Sequence, residues 1–266
     1  MIIIGEKINT IRNVIARAVE DRDPAAIQNE AVKQVEAGID VLDINVGSPF
    51  NEIESMQWAV RMVEEVTDIP LCIDSSNPDA IRAGFEACRG KEKAWANSIA
   101  MEQKRMEGVL PLVKEHNCRV VALCMDEKGI PATAVQRVEV AGRIIKVIED
   151  WGIPPGNLYL DCLVDPISLG PGKTPNTLDT IRTIKDTFPH VNTVICLSAV
   201  SFGLPGRRLI NRTYLPLLIE AGIDAVFLDP LDGELAATLK ASNALLDRDE
   251  NCLEYIKAFR EGRIKI

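Results

Sequence analysis

Short apolar runs rich in β-branched residues recur along the chain, and a longer segment with helical spacing follows each of them. Eight such runs occupy residues 2–4, 41–45, 70–74, 93–97, 120–125, 158–161, 193–198 and 225–229. Strands that alternate with helices must run parallel, because each crossover returns the chain to the same end of the sheet. The pattern therefore predicts an α/β protein with a closed (β/α)8 barrel, the TIM-barrel architecture.

Proline and glycine mark where the helices between these runs begin and end. Asp23-Pro24 is predicted to open a helix that runs to Ala37 and stops at Gly38, and Asn77-Pro78 is predicted to open another. Residues 232–259 are predicted to form the eighth helix and a C-terminal extension. No linker composition divides the chain, so we expect residues 1–266 to form a single domain.

Other architectures and phosphate motifs fit the sequence poorly. An open nucleotide-binding sheet would carry Gly-x-Gly-x-x-Gly after an early strand, and the chain has none. The stretch from Gly170 to Thr174 resembles part of a phosphate loop, but the spacing requires a glycine where Ile167 stands.

Composition narrows the class of protein and its partners. The chain has 266 residues, 47% of them hydrophobic, and a net charge of −9. We expect no membrane-spanning segment, no secretory signal and no broad nucleic-acid surface. Seven cysteines without a Cys-x-x-Cys pair favour a reducing compartment, and four of them lie in apolar runs where a thiol acts as a small hydrophobe. We expect a cytoplasmic protein that binds small molecules or other proteins.

Polar side chains occur at the ends of all eight predicted strands. In chain order they are Glu6 and Asn9 after the first strand, then Asp43, Asn45, Asp74, Asn97, Asp126, Asp161, Ser198 and Asp229. The carboxyl ends of barrel strands surround one mouth, so these groups are expected to converge there. Carboxylates and amides without histidine suit a neutral, flat ligand rich in N–H donors, each charge-assisted bond being worth about 1.5–3 kcal/mol. For any single residue, helix capping stays open as an alternative.

Metal and phosphate sites remain weaker alternatives. Mg²⁺ among Asp43, Asp74 and Asp229 stays open, but no resident metal is expected. His116 and His190 both precede their strands, which puts them at the opposite end from the mouth and excludes them from zinc or triad chemistry there. The acidic loop after the eighth strand repels phosphate.

A loop after the seventh strand concentrates positive charge. Gly206-Arg207-Arg208 and Arg212 have the charge to hold a carboxylated ligand tail. Solvated arginines paired with neighbouring residues stay the alternative.

Five segments together resemble one family. They are Gly5-Glu6-Lys7-Ile8-Asn9, Leu42-Asp43-Ile44-Asn45-Val46-Gly47, Cys72-Ile73-Asp74-Ser75-Ser76-Asn77, Asn97-Ser98 and Leu209-Ile210-Asn211-Arg212-Thr213. In this order and register the chain resembles the methyltetrahydrofolate:corrinoid methyltransferases of the pterin-binding TIM-barrel superfamily, which also includes dihydropteroate synthase. The resemblance extends to about Phe259.

The resemblance implies a ligand, a partner and residue roles. Asp74, Asn97 and Asp161 would hydrogen-bond and orient the pterin ring, and Ser198 and Arg207 would lie near the pterin and the aminobenzoyl-glutamate tail. It implies methyltetrahydrofolate as the usual methyl donor, cobalamin carried by a separate corrinoid protein, and a homodimer. Asp43 and Asn45 are further candidates for substrate binding.

One position departs from the family pattern. Ala199 stands where well-known members carry an asparagine that reaches the pterin N5, and a methyl side chain cannot donate to a departing nitrogen. Four accounts stay open: a bridging water, an approach by Asp43 or Asn45, normal operation from methylcorrinoid to tetrahydrofolate, or a substitution introduced into the chain. Because both directions share one transition state, Ala199 alone does not reveal the direction.

The sequence thus predicts a methyltransferase that moves a methyl group between N5 of tetrahydrofolate and the cobalt of a protein-bound corrinoid. Two rivals are a dihydropteroate synthase and a non-catalytic subunit that binds a pterin or a corrinoid protein. The first is disfavoured by Ser198-Ala199 and by the acidic loop after the eighth strand. Ala199 keeps the second open.

Overall fold

A computed structural model describes residues 1–47 and 51–264. Eight parallel strands pair in sequence order, and the first pairs with the last, so the sheet closes into a barrel. The strands are β1 (Ile2–Asn9), β2 (Val41–Asn45), β3 (Leu71–Asp74), β4 (Trp95–Met101), β5 (Arg119–Asp126), β6 (Leu158–Asp161), β7 (Asn192–Cys196) and β8 (Ala225–Leu228). The predicted (β/α)8 barrel is confirmed.

Helices surround the barrel. They are α1 (Asn13–Glu20), α2 (Pro24–Glu36), α3 (Glu52–Glu64), α4 (Pro78–Ala87), α5 (Gln103–His116), α6 (Ala134–Asp150), α7 (Lys173–Thr187), α8 (Arg207–Ala221), α9 (Gly233–Leu245) and α10 (Leu253–Arg260). The predicted starts are confirmed, because the Asp23 and Asn77 side chains each accept a backbone N–H in the first turn of α2 and α4. Gly38 follows α2 with a φ of +87°.

Side chains on each strand alternate between the barrel interior and the surrounding helices. The interior holds a compact apolar group of Ile4, Val41, Cys72, Trp95, Val121, Tyr159, Val194, Ala225 and Phe227. The helix-facing residues belong to a second and larger core. A filled interior leaves space for a ligand only above this group, toward the carboxyl ends of the strands.

The carboxyl ends of three strands differ from those predicted by two or more residues. β1 continues through Glu6 to Asn9 and β4 continues to Met101, so Glu6 and Asn9 lie within the first strand and do not follow it. β7 ends at Cys196, and a short 3-10 helix, Leu197–Ser201, carries Ser198. Both extensions were missed because polar residues interrupt the apolar runs, Glu6 and Lys7 in β1 and Asn97 and Ser98 in β4. In a barrel, the last inward positions of a strand face the mouth and not the core.

The region after β8 contains two helices, α9 and α10, in place of one helix and an extension. Asp232 caps α9 by accepting the backbone N–H of Leu235. Among the helices of residues 1–47 and 51–264, none has the length and apolar character needed to cross a membrane.

Candidate functional site at the carboxyl ends of the strands

Strand periodicity places the predicted polar residues inside the mouth of the barrel. Asp43, Asp74, Asn97 and Asp161 each lie two residues beyond a member of the interior apolar group, so their side chains project into the same interior, one step closer to the mouth. The strand register also places Asp74 directly beside Asn97 on neighbouring strands.

Asp74 is held by an amide and not by a cation. Asn45 donates from Nδ2 to Asp74 Oδ2 over 2.8 Å. Burial raises the pKa of Asp74 to about 6, and the Asn45 hydrogen bond and the more distant charge of Arg105 only partly oppose this rise. The carboxyl keeps an oxygen available for a ligand, and a pair of N–H donors would stabilise its ionised form.

Asp161 is oriented by the backbone of the loop that follows β6. Its Oδ1 accepts the N–H of Leu163 over 2.8 Å, while Leu163 itself adopts a φ of +60°. Burial raises the pKa of Asp161 to about 6, against the lowering effects of that hydrogen bond and of the charge on Arg137. Asp161 is thus a second half-buried carboxyl in the mouth that lacks an ion pair among the described residues.

Arg137 fixes the loop that orients Asp161. This fully buried side chain, on α6, donates to the carbonyl oxygens of Cys162 at 3.1 Å and Leu163 at 2.5 Å, and to Asp165 Oδ2 at 2.6 Å. Thr177 Oγ1 also donates to the Leu163 carbonyl, over 3.1 Å. These bonds hold Leu163 in its unusual conformation and therefore hold the N–H that Asp161 accepts.

Asp43 lies deepest among the candidate acids and is only 2% exposed. Burial raises its pKa well above the ordinary value, the neighbouring Asp74 raises it further, and hydrogen bonds with Cys72 and Asn97 oppose the shift. Its Oδ1 has no hydrogen-bond partner within residues 1–47 and 51–264. A buried acceptor without a partner costs about 1–3 kcal/mol, a cost that a protonated Asp43 or a ligand donor would remove.

A bulge in β1 positions Glu6 and Lys7. The pairing register of β1 with β2 shifts between Gly5 and Ile8, and the Lys7 N–H bonds instead to Oε1 of the buried Gln34, over 3.1 Å. That amide lies so close to Gly5 that an added Cβ would sit 2.5 Å from Gln34 Oε1. Glycine at this position therefore permits the bulge, which directs Glu6 toward β7 and Lys7 toward Asp229.

Ser198 and Arg207 are brought together beyond β7. Arg207 donates from Nη2 to the Ser198 carbonyl over 2.7 Å and from Nε to Ser201 Oγ over 3.1 Å, and its guanidinium lies over the Phe202 ring. The Ser198 hydroxyl points the other way, to Glu6 Oε2 at 3.2 Å. Arg207 is exposed at the rim, as a side chain that binds the distal part of a ligand would be.

Other predicted rim residues have different surroundings. Asp126 lies on the helix-facing side of β5, in step with the buried Ala122 and Cys124, and bonds to Arg143. That hydrogen bond lowers the pKa of Asp126. Arg212 is paired with Asp232 and Glu234, which supports the alternative of paired arginines at that position.

The histidines lie where the sequence placed them. His116 ends α5 and stacks on Phe85, and His190 precedes β7. Within residues 1–47 and 51–264 no three histidine, cysteine or acidic side chains form a group that could hold a metal ion.

Two supporting residues were not found from the sequence. Arg137 lies in the first turn of an amphipathic helix, where arginine is normally solvated, and its role depends on a loop more than twenty residues away. Gln34 likewise sits on α2 and becomes buried only when that helix packs on β1. Neither position carries a local sequence signal, because both depend on tertiary packing.

A parallel barrel whose mouth is lined by buried carboxyls and amides has the form of a barrel enzyme that binds a small polar molecule. The chain belongs to the pterin binding enzyme family, which matches residues 5–229. It is 34% identical over 267 residues to the methylcorrinoid:tetrahydrofolate methyltransferase of Eubacterium limosum, an alignment that covers 99% of this chain and 98% of the relative.

Two further comparisons concern a larger protein and the fold. The chain is 30% identical over 239 residues to the methionine synthase of Mycobacterium leprae, which covers 85% of this chain and 20% of that protein. The dihydropteroate synthase of Yersinia pestis superposes with a TM-score of 0.68 at 14% identity, covering 92% of this chain and 94% of that chain, and supports the fold alone. The predicted family and the predicted enzyme class, a methyltransferase, are confirmed by these relatives.

Proposed function

We propose that this protein transfers a methyl group between N5 of tetrahydrofolate and the cobalt of a corrinoid bound to a separate protein. The observation that carries the proposal is the pair of half-buried carboxyls, Asp74 and Asp161, which have raised pKa values and no ion pair among the described residues. The 2-amino-pyrimidinone edge of a pterin presents adjacent N–H donors, which is the group such carboxyls accept.

We assign the pterin contacts to the predicted residues. Asp74, Asn97 and Asp161 would hold the ring, and Asp43, whose Oδ1 lacks a partner in the described part of the chain, would complete the floor of the site together with Asn45. Ser198 and Arg207 would contact the outer part of the folate. Alignment of N5 with the open mouth, where the corrinoid protein must dock, would then provide most of the catalysis.

The direction of transfer is proposed from the relative. The sequence motifs led to the expectation of methyltetrahydrofolate as the donor, whereas the name of the Eubacterium limosum protein puts the methyl group on the corrinoid first. We propose the corrinoid as donor, with the reverse reaction also catalysed because both share one transition state. The cobalamin would be carried by the partner protein, and the homodimer stays a prediction that sedimentation can check.

Demethylation of methylcobalamin in the presence of tetrahydrofolate tests the proposal. We expect the cobalt absorbance to change only when protein and folate are both present, and methyltetrahydrofolate to accumulate in equal amount. Binding of tetrahydrofolate without turnover, also with candidate corrinoid proteins, would favour a carrier. Condensation of a pterin pyrophosphate with aminobenzoate would show a synthase.

A further inference from the structure

Glu6 is a half-buried carboxyl in the mouth whose hydrogen-bond partners are neutral groups. Its Oε2 accepts from Ser198 Oγ at 3.2 Å and from Cys196 Sγ at 3.4 Å. Both partners are weak donors that leave the protonation state of Glu6 free to change. A cation bonded at the same distance would have held Glu6 ionised.

Three other acids of the mouth each have a donor or cation bonded to one oxygen, and a fourth, Asp43, lies deepest and is only 2% exposed. Asp74 accepts the Asn45 amide, Asp161 accepts a backbone N–H, and Asp229 pairs with Lys7 at 2.6 Å. The hydrogen bonds from the Asn45 amide and the Leu163 backbone favour the ionised forms of Asp74 and Asp161. Glu6 is therefore the carboxyl in this part of the described chain that is best suited to take up and release a proton during a reaction.

Glu6 also lies across the barrel from Asp74 and Asn97. Asp74 and Asn97 lie on β3 and β4, whereas Glu6 lies on β1 and contacts the end of β7, which is on the opposite wall of the closed barrel. A pterin held at its amino-pyrimidinone edge by Asp74, Asn97 and Asp161, on β3, β4 and β6, directs its second ring, which contains N5, toward the wall formed by β7, β8 and β1. Ala199, next to Ser198, offers no polar side-chain atom there.

Methyl transfer to tetrahydrofolate requires a group that removes a proton. The N5 lone pair forms the new N–C bond while the Co–C bond breaks. The electron pair of the broken Co–C bond stays on the cobalt, which is reduced from Co(III) to Co(I). N5, a secondary amine before the transfer, becomes a methylated ammonium that still carries its proton, and it must lose this proton to become neutral. We propose that Glu6 takes this proton and returns it in the reverse reaction, an inference that rests on the function proposed above.

The surroundings of Glu6 set the pH range of this step. Burial raises the pKa of Glu6, hydrogen bonds from Cys196 and Ser198 lower it, the Asp229 charge raises it and Lys7 lowers it. Asp43, on the neighbouring strand β2, also interacts with Glu6, and the Glu6 charge raises the pKa of Asp43. Because the transfer to folate needs ionised Glu6, its rate should rise with pH through this raised pKa, whereas the reverse transfer needs protonated Glu6 and should slow over the same range.

The variant Glu6→Gln tests the inference, with free methylcobalamin as methyl donor. We expect kcat to fall about 100-fold or more, as is typical when a proton-transfer group is lost. The Kd for tetrahydrofolate, measured by calorimetry, should change less than about threefold, and the pH dependence of kcat assigned to Glu6 should disappear. Glu20→Gln, an exposed residue at the end of α1, is the matched control and should behave as the wild type.

Two results would overturn the inference in distinguishable ways. An active wild type with an equally active Glu6→Gln variant overturns the role of Glu6 alone. A wild type that binds tetrahydrofolate but never turns over overturns the proposed function together with it. Should Glu6→Gln not fold, Glu6→Asp keeps a carboxyl one methylene shorter, and we expect a lower kcat with the pH dependence retained. A pH-independent kcat in Glu6→Asp would also overturn the inference.

Discussion

Acidic side chains in the mouth and acidic side chains around the barrel have opposite surroundings. Asp74 and Asp161 are half-buried and bonded to amide and backbone donors, and their pKa values are raised. Asp126 and Asp232 are bonded to Arg143 and Arg212, and their pKa values are lowered. Asp126 and Asp232 are thus paired with arginines of the same chain, whereas Asp74 and Asp161 keep oxygen atoms that can accept hydrogen bonds from a molecule in the mouth.

The difference shows how one fold separates stability from binding. Ion pairs and caps on the outside connect neighbouring helices and loops, as Lys185 does with Asp224 at 2.8 Å. The mouth carries carboxyls that are costly in the free protein and become favourable only with N–H donors in place. Arg137 lies between these two sets, since it is fully buried and orients the loop that serves Asp161.

The largest effect is expected for Arg137→Met. The substitution leaves the Cys162 and Leu163 carbonyls and Asp165 without their buried donor, so the free energy of unfolding should fall by about 3–5 kcal/mol. Urea unfolding with linear extrapolation measures it. Arg182→Met removes a half-exposed arginine that pairs with Glu220 and should change stability little. Equal losses in the two variants would contradict the assignment.

A smaller effect, on binding and not on folding, is expected for Asp161→Ala. Loss of one carboxylate that accepts N–H donors should weaken tetrahydrofolate binding about 100-fold, equivalent to about 2.7 kcal/mol. Asp126→Ala is the matched control, because Asp126 also ends a strand but faces the helices. Calorimetry measures both affinities. An unchanged affinity in Asp161→Ala, or an equal loss in the control, would reject the proposed site.

The fold could be predicted from the sequence because parallel strands repeat the same local signal. The mouth was predicted for a related reason, since Asp74 and Asp161 end their strands and Asn97, although β4 continues beyond it, lies beside Asp74. Asp126 also falls at a strand end, yet its side chain faces outward, and only the alternation along β5 separates the two cases. The contacts of Glu6, Gln34 and Arg137 join segments that are distant in the sequence, so no local sequence pattern predicts these contacts.

Proton release on ligand binding tests the central claim, that buried carboxyls in the mouth bind a pterin in their ionised state. The folded-state pKa values of Asp74 and Asp161 are raised to about 6, so the folded protein holds protons that the unfolded chain has lost, and stability falls as pH rises from about 4 to 6. A ligand that donates N–H groups needs the ionised form and must displace those protons below about pH 6.

The measurement is calorimetric titration of tetrahydrofolate across pH 5 to 7.5 in buffers of different ionisation enthalpy, for the wild type and for Asp74→Asn and Asp161→Asn. Subtracting a variant from the wild type removes the ligand's own titration. We predict that wild-type affinity rises by up to about tenfold per pH unit for each ionising carboxyl, levels above about pH 6, and is accompanied by proton release that each variant reduces. An affinity that is independent of pH, or proton release that both variants retain in full, would contradict the account.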